Sequence, residues 1–495
     1  MGKKQMNKIY SYNKDRLPLP VLSEHPEWIE LYDCAWKTAF RNIDYINKPN
    51  WKPQLTCYPG IGVIWQWDSC FMTLITNYSN GELSAFNNLD NLYRLQRPQD
   101  GYISMAYRIE NENEAYDKGR INPPLYAWAE WEHYAVTGDS SRFETVLPKI
   151  EALYRYIEKN HRRSSGLYWF NDTGSSGMDN SPRGEYPSAN LDGSGVCHID
   201  LACQQSLSAA ALGNMFSVTG DTEKAEYYRQ ENKRINSLIN RYHWNEKTGF
   251  YYDFFSRSEA EQRVKLINTK TVAAAWTMLC GAAEGERFKS VLEHFMNPDE
   301  FNTLIPFASL SRDDLNYDPK GGYWLGGAWP PVDYVILRAM ENHGLGEIAK
   351  NAAEKILGGM YRVYSSSEYG GIWETYSPEE YKPATTENGE LCKSDFVGWG
   401  GLIPVTALIE NVIGFKFDAP ANTVEFNISG RGDIGIENMH FAGGKISIVV
   451  RGYDPSVGSG RLHISTEKPF VLKLNLSSGK SAEIEVKTGE SIIKL

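Results

Sequence analysis

From about residue 27 to 412 the chain repeats one pattern. A stretch of small and apolar residues meets a short turn, then a stretch whose apolar residues fall on one side only. The turn is clearest at Val136-Thr137-Gly138-Asp139, which recurs as Val218-Thr219-Gly220-Asp221. Glycine there supplies the left-handed residue that ends one helix, and aspartate caps the next. A looser Gly-acid pair returns at Gly81-Glu82, Gly285-Glu286 and Gly346-Glu347. With these turns as punctuation the pattern predicts twelve helices in six pairs. The leading members lie near 69–79, 125–137, 199–218, 269–283 and 331–343, with a sixth near 402–412. Their partners lie near 27–47, 82–95, 142–160, 222–241, 286–296 and 346–361. Over 222–241, Ala225, Tyr228, Ile235, Leu238 and Ile239 form one stripe, whereas Thr271 to Trp276 is small or apolar all round. A helix apolar on every side is buried and a one-sided helix is an outer layer. The predicted fold is mainly α: an (α/α)6 barrel, six helices ringed by six.

Connections inside a pair are short, but those between pairs are long, near 48–68, 96–124, 161–198, 242–268, 297–330 and 362–401. In an antiparallel toroid all six emerge at one end, and long structureless loops are usually functional. After about 413 the period changes to two, as in Thr423-Val424-Glu425-Phe426 and Ile446-Ser447-Ile448-Val449-Val450. The expected organisation is a polar lead-in over 1–26, a catalytic barrel over 27–412 and an accessory β-sandwich of about seven strands over 413–495.

Composition narrows the function. The chain has 495 residues, 41% hydrophobic and 23% charged, which are globular values. With 51 basic against 62 acidic residues, net −11, it lacks the basic footprint that a nucleic-acid or anionic-membrane partner requires. Seven scattered cysteines form no CxxC or Cys/His ligand spacing. The lysine-rich start has no apolar core of a signal peptide, so a cytoplasmic protein is the default, or a secreted or periplasmic one numbered after signal removal.

The long loops concentrate acids and tryptophans: Trp65-Gln66-Trp67-Asp68-Ser69, Asn122-Pro123-Pro124, Gly177 to Arg183, Tyr323 to Pro331, Trp373-Glu374-Thr375-Tyr376 and Gly398-Trp399-Gly400. Breaking an acetal requires a proton on the leaving oxygen and a second carboxylate, as nucleophile or to activate water. Aromatic faces hold a sugar's C–H surface while carboxylates hold its hydroxyls. Phosphate loops, GxSxG elbows and HExxH helices are absent from the sequence. Residue types alone leave alternatives open. Asp172, Asp192 and Asp200 compete with Asp179, which an Asx-turn also explains. Glu368 and Glu379 compete with Glu374, Asp68 could be a helix N-cap, and His198 reads as a helix-end residue.

Gly177-Met178-Asp179-Asn180-Ser181-Pro182-Arg183 resembles the signature of glycoside hydrolase family 63, related to the trehalases of family 37. Trp67-Asp68-Ser69-Cys70-Phe71, Asn122-Pro123-Pro124, Tyr323 through Tyr334 and Glu374-Thr375-Tyr376-Ser377-Pro378 resemble further elements of that family in the same order. The resemblance implies an inverting α-glycosidase with Asp179 as general acid and Glu374 as general base, their carboxyls about 6.5–9.5 Å apart. It also implies sugar binding by Trp67 and Asp68, with Trp65, Asn122, Arg183, Trp329, Trp373 and Trp399 as further substrate-binding candidates. Leu325, Gly327, Asp333 and Thr375 depart from the pattern. Enzymes acting on mannosylglycerate or glucosylglycerate therefore fit as well as trehalases or oligosaccharide glucosidases.

The implied partner is an oligosaccharide or small glycoside. No cofactor or catalytic metal is expected, with a structural calcium and the oligomeric state left open. The competing readings are another enzyme on the same toroid (a polysaccharide lyase, uronyl hydrolase or sugar epimerase) and a non-catalytic sugar-binding relative. Lyases and epimerases want Tyr/His or His pairs, and nine scattered histidines serve that poorly.

Overall fold

The computed structural model describes residues 10–44, 48–116, 119–184, 193–258 and 264–495. Among these, twelve helices alternate along the chain, α1 to α12. The odd-numbered ones are α1 (Pro26–Arg41), α3 (Phe86–Leu95), α5 (Phe143–His161), α7 (Thr222–Tyr242), α9 (Glu286–Met296) and α11 (Gly346–Tyr364). The even-numbered ones are α2 (Gln66–Thr76), α4 (Tyr126–Thr137), α6 (Ile199–Thr219), α8 (Ala275–Leu279), α10 (Pro330–Asn342) and α12 (Leu402–Ile413). Each even-numbered helix packs on the next, and α12 packs back on α2, closing a ring. Odd-numbered helices pack against that ring from outside, α3 on α2, α5 and α7 on α6, α9 on α8, α11 on α10 and α12. Burial follows the sequence pattern: α12 is buried at every position, whereas α7 buries only Ala225, Tyr228, Ile235 and Ile239.

The repeated turn works as its chemistry requires. Gly138 and Gly220 end α4 and α6 at φ 75° and 85°, in the left-handed region that glycine enters without a Cβ clash. Asp221 caps α7 by accepting the Lys224 N–H at 3.0 Å. Asp139 instead accepts the Ser141 N–H at 2.9 Å, a local turn that delays α5 until Phe143. Two inner elements differ from the expected regular helices. The region 269–283 holds a single tight 3-10 turn, Val272–Ala274, running into five residues of α8. The last inner helix, α12, is wound loosely into a π-helix, ending with Gly414 N–H on the Ile409 carbonyl at 3.2 Å.

Aromatic rings plug the axis. Trp128 of α4 meets Phe71 of α2 at 6.2 Å, Trp276 of α8 at 6.3 Å and Tyr334 of α10 at 6.5 Å between centroids. Beneath them Glu410 of α12 accepts the Tyr78 and Tyr334 hydroxyls at 2.6 and 3.1 Å, and Arg338 bridges Glu410 and Glu132.

The C-terminal region forms two sheets. β1 (Leu19–Leu22), β4 (Gly432–Phe441), β5 (Gly444–Asp454), β6 (Ser459–Thr466) and β9 (Gly489–Lys494) make one, in the order β1-β4-β5-β6-β9. β2 (Phe415–Asp418), β3 (Thr423–Ile428), β7 (Phe470–Leu476) and β8 (Ser481–Val486) make the other, ordered β2-β3-β7-β8. Phe441 bridges them, 5.8 Å from Phe417 and 6.1 Å from Phe470. The stretch read as a lead-in supplies β1, paired antiparallel with Leu19 opposite Glu437 and Leu22 opposite Ile434. Tyr78 against Phe417 and Ala419 N–H on the Ala135 carbonyl seat the sheets at the C-terminal ends of α2 and α4. The N-terminal ends of the inner helices, where the long loops arrive, form the opposite mouth. No helix among the described residues is long and apolar enough to cross a membrane.

Candidate active site

At that mouth lies a cavity of about 440 Å³. Its wall includes Trp65, Trp67, Asp68, Asn122, Asp179, Trp329, Glu374 and Trp399 of the residues singled out from sequence. Arg183 and Trp373 are not part of the wall.

Asp179 sits on a turn that its neighbours define closely. The tight turn Gly174–Ser176 ends at Gly177, φ 79°, and a Cβ there would stand 2.3 Å from the Trp67 ring. Only glycine lets this backbone lie on the indole. Thr173 Oγ1 donates to the Asp179 carbonyl at 2.6 Å, and Asn180 pairs with the Gly322 carbonyl and the Trp324 N–H, both at 2.9 Å. The backbone is pinned while no protein group among the described residues donates to the Asp179 carboxyl. Burial, then the charges of Glu374, Asp172, Glu387 and Asp68, push its pKa up to about 8.

Glu374 is buried and held differently. Tyr323 donates its hydroxyl to Oε1 at 2.9 Å and the Lys393 N–H donates to Oε2 at 3.2 Å, both favouring the ionised form. Burial outweighs them and places the group at about 7. The Trp399 indole N–H donates to the Glu374 carbonyl at 2.7 Å, tying a wall tryptophan to the same backbone. Asp68 lies inside the first turn of α2, three residues past the N-cap Trp65, so it does not take the N-cap role that sequence allowed it. It accepts the Cys57 thiol at 3.0 Å, and burial raises it to about 6.

The wall also holds unsatisfied polar atoms. Trp67 Nε1 and Asn122 Oδ1 are buried and have no partner among the described residues. Buried polar groups are normally paired, so these atoms are available to a polar ligand. Trp324 and Trp329 stack at 3.9 Å behind them.

The competing acids are committed elsewhere. Asp172 accepts the Ser175 N–H at 2.7 Å and pairs with Arg120 at 2.8 Å. Glu379 pairs with Arg312 at 2.8 Å, and Glu368 is exposed near the start of the connection that carries Glu374, outside the cavity wall. Asp192 lies outside the described residues. Arg183, a substrate-binding candidate from its place in the heptapeptide, is fully buried instead. It bonds Asp200 at 2.6 and 2.8 Å and Asp253 at 2.8 and 2.9 Å, a bidentate clamp on each carboxylate. Trp373 likewise turns away, donating to the Gly370 carbonyl at 2.7 Å. His198 precedes α6, accepts the Phe170 N–H at 3.1 Å, and stays neutral because burial lowers it to about 3.

Sequence reasoning gave no role to Tyr323, Cys57, Lys393 or the exposed turn over 386–391, all part of the wall. Tyr323 carries a late signal, since it follows Gly321-Gly322 and adopts φ 67°, a strained value for an aromatic residue. The sequence departures cluster around it: a Cβ on Gly327 would meet the Tyr323 carbonyl at 2.6 Å and Thr375 Oγ1 at 2.8 Å. Asp333 is buried with Oδ1 unpartnered, and burial pushes its carboxyl well above the usual carboxylate range.

Comparison with known proteins agrees with this architecture. An uncharacterized protein of Borreliella burgdorferi is 25% identical over 99% of this chain and 98% of its own length. The mannosyl-oligosaccharide glucosidase of Saccharomyces cerevisiae is 22% identical over 60% of this chain, which corresponds to 35% of that protein. The family 63 mannosylglycerate hydrolase of Thermus thermophilus, solved with glucose, superposes with a TM-score of 0.60 at 18% identity, over 75% of this chain and 98% of that one. The profile of the mannosylglycerate hydrolase MGH1-like glycoside hydrolase domain matches residues 62–390, a span that contains Asp68, Asp179, Tyr323 and Glu374. With two thirds of its length inside that match, the chain belongs to the MGH1-like glycoside hydrolases.

Proposed function

We propose that this chain is an inverting α-glycosidase built on an (α/α)6 barrel, cleaving an α-linked gluco- or manno-configured glycoside with Asp179 as general acid and Glu374 as general base. The observation that carries it is the pair of carboxyls, Glu374 buried and Asp179 half-buried, that line one cavity in opposite environments. Asp179, unbonded and facing other acids, keeps its proton to higher pH than Glu374, whose two donors favour its ionised form against burial. The proton therefore starts on Asp179.

In the reaction that follows, Asp179 delivers this proton to the glycosidic oxygen as the bond to C1 breaks. Glu374 takes a proton from the water that attacks C1 from the other face, and the product forms with inverted configuration. The ring binds against Trp67, Trp329 and Trp399, with Asp68, Asn122 and the Trp67 indole N–H on its hydroxyls.

A panel of α-glucosides, α-mannosides and their glycerate and disaccharide forms tests this, with product anomers read by NMR. Hydrolysis with inversion is expected, lost in Asp179→Asn and Glu374→Gln. Retention of configuration, or full activity in either variant, refutes the corresponding assignment.

A further inference from the structure

The described cavity wall carries a surplus of acidic over basic side chains. Asp68, Asp179, Glu374, Glu387 and Glu390 line it, against Lys393 as the one basic side chain among the described wall residues. The acids divide by depth. Asp68 and Glu374 are buried, whereas Glu387 and Glu390 are exposed on a turn closed by Thr386 N–H to the Glu390 carbonyl at 2.6 Å and Gly389 N–H to the Thr386 carbonyl at 3.0 Å. Neither Glu387 nor Glu390 forms an ion pair among the described residues. Glu387 faces Asp179 closely enough for its charge to strengthen that carboxyl's hold on a proton. Lys393 leans toward Tyr58, its ammonium 6.0 Å from the ring centroid.

A group that leaves with the proton of Asp179 departs through a cavity that Glu387 and Glu390 also line. A cleft lined by one sign of charge focuses its field inward, and like charges brought together there suppress binding. We infer that the leaving-group side of this cavity rejects carboxylates, so that the aglycone is a neutral, hydroxyl-bearing group such as a polyol or second sugar rather than glycerate or a uronate. This rests on the glycosidase reading and sharpens it. A polyol can donate hydroxyls to Glu387 and Glu390 and lay its C–H edge on the half-buried Tyr58 and Trp65, with no charge to repel.

The test is a matched pair of α-glycosides, one of glycerol and one of glycerate, built on whichever sugar the substrate panel supports. At low salt kcat/KM should be at least about tenfold higher for the glycerol member, since juxtaposed like charges discriminate at that scale. Raising the salt should narrow the ratio by screening the exposed acids. The double variant Glu387→Gln, Glu390→Gln should bring the ratio toward one, and Lys393→Gln should widen it. Equal or faster turnover of the glycerate member overturns the inference while leaving the glycosidase reading intact. So does a ratio indifferent to both salt and the double variant, or failure on both members when simple aryl glycosides of the same sugar are cleaved. If no glycoside in the panel is cleaved, the glycosidase reading falls and this inference falls with it.

Discussion

Replacing Asp179 with Asn should make the protein more stable, by an amount that grows with pH. The wild-type carboxyl titrates near the ordinary aspartate value of 3.8 when unfolded and is pushed up to about 8 when folded. Across that window the folded protein holds a proton that the unfolded chain has released, so stability is lost as pH rises from the lower value to the upper. At about 1.4 kcal/mol per unit, the loss reaches at most about 1–2 kcal/mol at pH 5 and about 5 kcal/mol by pH 8. Both figures are upper bounds, since the side chain is partly exposed to solvent. Asn is nearly the same shape, carries no proton to lose and escapes the whole pH-dependent component. Paired thermal melts from about pH 5 to pH 8.5 read the effect. The curves should lie closest at the acid end and move apart by a few degrees toward the alkaline end, with the variant higher. A gap that stays constant with pH, or a variant less stable at pH 8, would show that Asp179 carries no burial penalty and would remove the reason for its acid role.

Three further outcomes follow from the same geometry. The pH profile of kcat/KM should be a narrow bell, falling below about 7 as Glu374 gains a proton and above about 8 as Asp179 loses its own; a plateau reaching down to pH 5 contradicts it. Tyr323→Phe removes one donor to the Glu374 carboxylate, worth about 1.5–3 kcal/mol, so the acidic limb should move up by about one to two units; an unmoved limb denies the Tyr323 contact a part in the chemistry. Arg183→Met leaves Asp200 and Asp253 as uncompensated buried charges, so melting should show about 3–5 kcal/mol of lost stability; an unchanged melting temperature together with a raised KM would return Arg183 to the substrate.

The helical order was legible because it is written locally. Gly138 and Gly220 mark helix ends by their need for a positive φ, and the contrast between α7 and the inner helices lies in their own apolar stripes. What escaped depends on distant partners. β1 joins its sheet only through residues 434–437, and nothing near Leu19 announces that. The looseness of α12 and the shortness of α8 arise from packing, since both stretches read as ordinary apolar helices. Arg183 misled for a related reason. A cation within a functional heptapeptide resembles a ligand group until Asp253, seventy positions away, takes its guanidinium. Tyr323 was visible as a letter in a motif, but its contact with Glu374 spans two separate loops.

The aromatic stack of Trp128, Phe71, Trp276 and Tyr334 turns the toroid from a tunnel into a blind well. A polymer cannot thread through such a shape, and whatever enters the mouth must leave by the door through which it arrived.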